Sequence, residues 1–437
     1  MDLIGIQMLV PPIMIVAPIK IVHLMILVLL MILVLLMMIK KRELWLKSNI
    51  LWVKGKTKSC IYDLAGTYVR LFHLGSKETL LVEQSFLTGK INEFILFLSK
   101  QGLFEKFLPF REKVDLQPKV NLFWIEVTNS CNFKCIHCYG AFAKRDKKVV
   151  LSFEDFKNKV IPFIERVSSK VIKLSFIGGE PLLHKNFLLK LVRSCIELLD
   201  CKKLKIEIFT NGYLIDNAFL ENIEFLQKNA IISLALSVYS NSPSYHDLVT
   251  GVPGSFYKLK ENINLLLRRK IPFRIAFIKT KYSFEVSKED IRRTFKLPKG
   301  IPIDIDLVRL VGEATKHSLL NAKILQKKEI SIETFKRVKI KSEEIFRRLS
   351  FHNCWSSKVY ISSNMDVFPC VMERKIKYGN LNTSMDEVIE KWLYFSRWNK
   401  NKIRKCKECE FRYVCFDCPP DGRKRVDEPP PYCKYLP

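Results

Sequence analysis

Three cysteines stand within eight residues in the run Thr128-Asn129-Ser130-Cys131-Asn132-Phe133-Lys134-Cys135-Ile136-His137-Cys138-Tyr139. A second constellation closes the chain: Cys354, Cys370, Cys406, Cys409, Cys415, Cys418 and Cys433. The chain has thirteen cysteines, and most stand in these two groups at metal-ligand spacings, not scattered as a disulfide framework would be. The count is odd and no cleavable secretion signal is evident, so a reducing, cytosolic setting fits. Zinc is one metal that thiolates serve. Three clustered cysteines would still need a fourth zinc ligand at a different spacing. In the tail, five residues separate the pair Cys406 and Cys409 from the pair Cys415 and Cys418, far fewer than a zinc ribbon's spacer. Cys60, Cys195 and Cys201 stand alone, and Cys195 falls on the apolar face of a helix expected over 187–199, where it reads as core filler.

The elements around the first cysteine run alternate. Apolar, strand-like stretches at 122–127, 171–177, 204–209, 231–238, 273–278 and 303–310 are separated by amphipathic helical segments. That alternation predicts a parallel sheet with helices outside it, and six repeats are too few for a closed eight-stranded barrel. A partial barrel follows, with its chemistry on the loops at the C-terminal ends of the strands. The cysteine run is the first of those loops. The second strand ends in Gly178-Gly179-Glu180-Pro181, the third in Phe209-Thr210-Asn211-Gly212, and Ser237 stands near the end of the fourth. On the sixth, strand alternation puts Asp306 and Arg309 on opposite faces, so that only one points inward.

In this order and spacing the segments resemble the radical S-adenosylmethionine (SAM) superfamily, over about residues 121–313. The resemblance implies that Cys131, Cys135 and Cys138 hold three irons of a 4Fe-4S cluster and leave the fourth for SAM to chelate. His137, in a place usually aromatic in the family, would lie near the adenine. Gly178, Gly179 and Glu180 would approach the SAM amino group, and Thr210, Asn211, Ser237 and Arg309 would line its pocket, Arg309 with Gly312 looking more family-like than Asp306. His246 to Phe256 is another family-like piece; Asp247 there reads as a helix cap in preference to a catalytic group.

The C-terminal cysteines resemble the SPASM domain, a cluster-binding extension of radical SAM peptide maturases. Carried over, Cys354, Cys370 and Cys418 would hold one auxiliary 4Fe-4S cluster and Cys406, Cys409, Cys415 and Cys433 another. Eight ligands are needed for seven cysteines, so one iron would be open to substrate or closed by Asp417, His352 or solvent. Two departures stand out. The glycine usual five residues before the second cysteine is Met365, and two residues instead of three separate Cys415 from Cys418. The wording of the tail from Cys406 to Cys418 looks most like the grasp-with-SPASM maturases, which implies a small ribosomal precursor peptide as substrate and an ATP-grasp ligase as partner.

The chain has 437 residues and a formal net charge of +29, which suggests an acidic partner without choosing among nucleic acid, anionic lipid and acidic peptide. Bound clusters would reduce that charge. No basic and aromatic residues interleave as in a nucleic-acid-binding module, so no nucleic acid is expected, and a basic zinc-containing nucleic-acid binder is the rival from another class. A sulfatase-type maturase or a cofactor-building radical SAM enzyme is the rival within the class. An external electron donor is implied in every enzyme reading. Residues 21–39 form an apolar run broken only by His23 and followed by Lys40, Lys41 and Arg42; its length suits a bilayer, and the basic cluster would keep the rest at the cytoplasmic face. The same run repeats MILVLL at 25–30 and 31–36, which equally suits a start codon placed too far upstream. The expected organisation is an apolar segment over 1–45, an α/β peptide-recognition unit over 46–117 with Phe94, Phe97 and Leu98 marking helical period, a radical SAM core over 118–315, a helical linker over 316–350 and the auxiliary-cluster domain over 351–437. One basic amphipathic helix capped by Ser331 is expected over 331–349.

Overall fold

The computed structural model describes residues 45–46, 49–88, 92–105, 117–199, 203–336, 338–416, 418, 421, 425 and 427–437. The segment 1–44, Cys201 and Asp417 lie outside the described residues. No helix among the described residues is long and apolar enough to cross a membrane. The chain divides into two compact units, 1–113 and 114–437.

The first unit contains β1 (Trp45–Leu46), β2 (Ile50–Lys54), β3 (Ser59–Asp63), β4 (Arg70–Leu74) and β5 (Phe104–Glu105). An antiparallel sheet in the order β2-β3-β4 packs its apolar residues against the helices Ser76–Thr88 and Glu93–Lys100, while β1 pairs with β5. Ile50, Ile61, Leu74, Val82, Ile95 and Leu98 form the core of this unit. The Asn92 side chain caps the second helix by accepting from the Ile95 amide at 2.9 Å. Leu98 is buried there and Phe94 partly so, but Phe97 turns outward, 54% exposed.

The second unit is built on β6 (Val120–Thr128), β7 (Ser168–Gly178), β8 (Lys203–Thr210), β9 (Ile231–Val238), β10 (Phe273–Lys279) and β11 (Ile303–Leu307). They are parallel and adjacent in chain order, as successive strand-helix units usually are. Parallel strands are covered on both faces, which is why they read as apolar runs. The fold is the α/β partial barrel that the alternation predicts. The sixth strand is shorter than its apolar run and stops at Leu307.

The sheet does not end at the barrel. β12 (Lys358–Ile361) lies parallel to β6, with Tyr360 opposite Trp124, and β13 (Asp366–Phe368) and β14 (Gly379–Asn380) continue antiparallel from it. Among the described residues one nine-stranded sheet therefore runs across the boundary expected near residue 350. Val359, Ile361, Met365 and Val367, with Val388 and Trp392 of the helix Met385–Ser396, belong to the same core cluster as the barrel. The start of the C-terminal region is thus held by apolar packing, and the described residues beyond about residue 403 form little regular structure.

The single helix expected over 331–349 is two, Ile332–Lys336 and Ser342–Ser350. Val338-Lys339-Ile340-Lys341 between them alternates β-branched and charged residues, a pattern that favours extended backbone. Phe335 and Ile345 are buried; Val338 and Leu349 are only partly so.

Candidate functional site: a cysteine-lined cavity at the strand ends

The cysteine loop leaves β6 and is pinned by backbone bonds. The Lys134 and Ile136 amides donate to the carbonyls of Thr250 and Val249 at 2.9 and 3.0 Å, and the Glu313 amide donates to the Cys138 carbonyl at 2.9 Å. Burial pushes the Cys131 thiol up to about 12 and raises Cys135 and Cys138 as well, with further upward pressure on the first two from the neighbouring cysteines. Thiolate, not thiol, binds metal. Three such groups are ionised together only when cationic metal compensates them. No three or more His, Cys, Asp or Glu side chains among the described residues gather so as to hold a single metal ion. Ligands of an iron–sulfur cube bind separate irons around its corners and do not converge on one point.

Beside the loop opens a cavity of about 660 Å³, within the range of ~300–1,000 Å³ usual for small-molecule sites. All three cysteines line it, as do His137, Gly178, Gly179, Glu180, Thr210, Asn211, Ser237 and Arg309. A Cβ on Gly178 would lie 2.2 Å from the Thr128 carbonyl oxygen and one on Gly179 would lie 1.9 Å from that of Ser130. The glycines are thus required for the end of β7 to press on the exit of β6, which positions the cysteine loop.

Glu180 is fully buried. Its carboxylate accepts from the Thr210 hydroxyl at 2.7 Å, the Asn211 amide at 2.8 Å and the Leu182 amide at 3.0 Å. It joins two strand ends, a service to the protein itself beyond the approach to the SAM amino group that the resemblance implies. Burial pushes its carboxyl up to about 7, against the downward pull of those three hydrogen bonds. The Asn211 side-chain amide donates to the Asn132 side-chain Oδ1 at 2.8 Å, tying the third strand end to the cysteine loop. His137 packs on Tyr239 with ring centroids 4.4 Å apart, and its buried Nδ1 has no hydrogen-bond partner. Burial lowers its pKa to about 4, so this imidazole is neutral near pH 7.

Asp306 and Arg309 both line the cavity, contrary to the expectation that only one could. Strand alternation does not extend to Arg309 because β11 has already ended, and the guanidinium folds back to pair with Asp306 at 2.8 Å. Arg309 also lies 3.9 Å from Asp421, a buried carboxylate that pairs with Lys328 at 2.6 Å and accepts from the Leu310 amide at 3.0 Å. The cavity wall further includes Tyr239, the pair Lys144 and Glu313, and Val371 and Met372. These were missed. Val371 and Met372 directly follow Cys370 in sequence, which was their only signal. Asp247 is a cap: it accepts from the amides of Gly254 and Phe256 at 2.6 and 2.9 Å at the start of the helix Ser255–Arg268.

The C-terminal cysteines fall into two neighbourhoods. Cys406, Cys409, Cys415 and Cys433 line one small hollow. Cys418 is close enough to Cys370 and Cys354 for their charges to act on it, and beside Arg309. Burial pushes Cys370 up to about 11 and Cys409 and Cys418 up to about 12, so these thiols too require cationic compensation to ionise. His352 is engaged within its own turn, its Nδ1 accepting from the amides of Cys354 and Trp355 at 3.0 and 3.1 Å.

Residues 125–297 match the model of the radical SAM superfamily, so the chain carries a radical SAM domain. It is 26% identical over 67% of its length to the antilisterial bacteriocin subtilosin biosynthesis protein AlbA of Bacillus subtilis (strain 168), and 28% identical over 40% of its length to the AdoMet-dependent heme synthase of Methanosarcina barkeri (strain Fusaro / DSM 804). These matches cover 66% and 46% of the relatives' own lengths. The fold is also that of native anSMEcpe with bound AdoMet and Cp18Cys peptide, at a TM-score of 0.51 and 19% identity, over 70% of this chain and 91% of that one.

Proposed function

We propose that this protein, with its radical SAM domain, is an enzyme that cleaves SAM reductively and modifies a ribosomally made precursor peptide by hydrogen abstraction. The observation that carries the reading is the cavity itself, which has the Cys131, Cys135 and Cys138 loop on one wall and Val371 and Met372, beside Cys370, on another. When bound, a reduced 4Fe-4S cluster and SAM supply a 5′-deoxyadenosyl radical. The protein's part is to hold and exclude. The three cysteines would hold the cube; His137 would offer a neutral ring face and an unpartnered Nδ1 to the adenine; Glu180, joined to Thr210 and Asn211, ties the strand ends at a fixed spacing, with Ser237 and Arg309 completing the wall. Cys354, Cys370 and Cys418, and Cys406, Cys409, Cys415 and Cys433, are read as holders of two auxiliary clusters, with an external donor supplying electrons.

A peptide substrate is supported by the bacteriocin named in the AlbA relative and by the peptide bound in the anSMEcpe structure. The small sheet β2-β3-β4 suits a leader peptide, because its outer strands can pair with an extended chain. An ATP-grasp ligase is the partner that the tail's resemblance implies. A cofactor-building activity is the second reading, favoured by the heme synthase name. Co-expression with the small peptide genes flanking the protein's own gene separates the two. A mass change in such a peptide, lost without residues 46–117, supports the proposal; unmodified peptides alongside active SAM cleavage would favour the second reading.

A further inference from the structure

Close to Cys415, and next in sequence to Cys354, is a small hollow lined by Arg348, His352, Asn353, Lys400, Arg412 and Cys415. Lys400 is only 8% exposed, and its ammonium donates to the Cys415 sulfur at 3.6 Å. Arg348 is 9% exposed. One of its terminal nitrogens donates to the Tyr413 carbonyl at 3.2 Å, but its buried Nε has no hydrogen-bond partner, the Glu344 carboxylate standing off at 3.8 Å. The buried side-chain nitrogen of Asn353 also has none. Arg348 is near enough to Cys354 and Cys415 to feel the charge of both.

Buried cations and unpartnered N–H groups are costly. A donor left unmet, as Arg348 Nε is, loses its hydration with nothing in return, and a buried charge is costlier still. Here they collect against cysteine sulfur, and an anionic cluster with its sulfides would satisfy both the charge and the donors. Hydrogen bonds to cluster sulfur and nearby positive charge favour the reduced, more negative state and raise the reduction potential.

We propose that Lys400 and Arg348 are positioning residues that raise the reduction potential of the cluster held by Cys406, Cys409, Cys415 and Cys433. This rests on the auxiliary-cluster reading. The test uses full-length, anaerobically reconstituted protein in which Cys131, Cys135 and Cys138 are replaced by Ala, so that only C-terminal clusters report. The signal that vanishes on Cys415→Ala is followed by electron paramagnetic resonance during a redox titration, with iron counted in parallel. Lys400→Met and Arg348→Met should each keep their iron and make reduction at least tenfold less favourable, about 59 mV for a one-electron couple. Lys400→Arg should stay within half of that change. An unmoved midpoint in both Met variants with iron retained overturns the proposal. So does iron loss in both, since the two residues would then hold the cluster instead of tuning it. If the parent protein carries no C-terminal iron, the auxiliary-cluster reading fails first, and that failure is visible before any titration.

Discussion

Gly312 meets Cys138 with no room between them: a Cβ on Gly312 would lie 2.3 Å from the Cys138 carbonyl oxygen. The adjacent Glu313 amide donates to that same oxygen. The chain leaving the last barrel strand therefore clamps the third cysteine from behind. Gly312 also has a φ of +57°, a conformation that costs other residues about 1–2 kcal/mol. Gly312→Ala adds a backbone clash to that strain. It should lower the unfolding free energy by more than ~2 kcal/mol and displace Cys138, so that reconstituted protein loses iron at the barrel site. Denaturant unfolding and iron per chain check this; normal iron and stability would show that the clamp is dispensable.

Met365 sits at φ +68° in the turn between β12 and β13, where the resemblance to the SPASM domain implies a glycine. Its side chain is 1% exposed and packed in the main core, so burial offsets a left-handed backbone. Met365→Ala should cost about 2–5 kcal/mol from lost packing while keeping the strain. Met365→Gly loses the same packing but relieves the strain, so it should be the more stable of the two by about 1 kcal/mol. Chemical denaturation of both variants decides; alanine above glycine would mean that the turn carries no such strain.

The Glu180 carboxyl gives a pH dependence with a definite sign. Its ordinary value is 4.5 and burial holds it at about 7 in the fold. Between those values the folded chain keeps a proton that the unfolded chain has released, so this group's contribution is full below pH 4.5 and is lost as pH rises towards 7. The slope is at most about 1.4 kcal/mol per pH unit. Glu180→Gln should remove it. Unfolding free energies of both proteins across that window should diverge in favour of the variant as pH rises, and parallel curves would contradict the assignment.

Much of the barrel was legible because buried parallel strands are written as apolar runs. The stretch 231–238 matches β9 at both ends, and the cysteine run, Gly178-Gly179-Glu180 and Thr210-Asn211 all fall on strand ends around one cavity. What failed did so where local pattern gives way to tertiary context. Strand parity sets Asp306 and Arg309 on opposite faces, yet both line the cavity, because the strand stops two residues before Arg309. Lys358–Ile361 is four residues long, and its pairing with β6, more than 200 positions away, leaves no periodic trace. Val371 and Met372 reach the cavity only because that pairing brings Cys370 alongside the barrel. Phe97 fits a helical period yet faces out, since Leu98 and Ile95 already fill the interior.

Everything proposed for the barrel depends on Cys131, Cys135 and Cys138 holding the cluster that cleaves SAM. The direct measurement is 5′-deoxyadenosine formation by anaerobically reconstituted protein with dithionite and SAM, compared with the variant in which all three are Ala, alongside iron content. The variant should make no 5′-deoxyadenosine and lose roughly four of about twelve irons, keeping those at the separate C-terminal cysteines. Undiminished 5′-deoxyadenosine from the triple variant would contradict it.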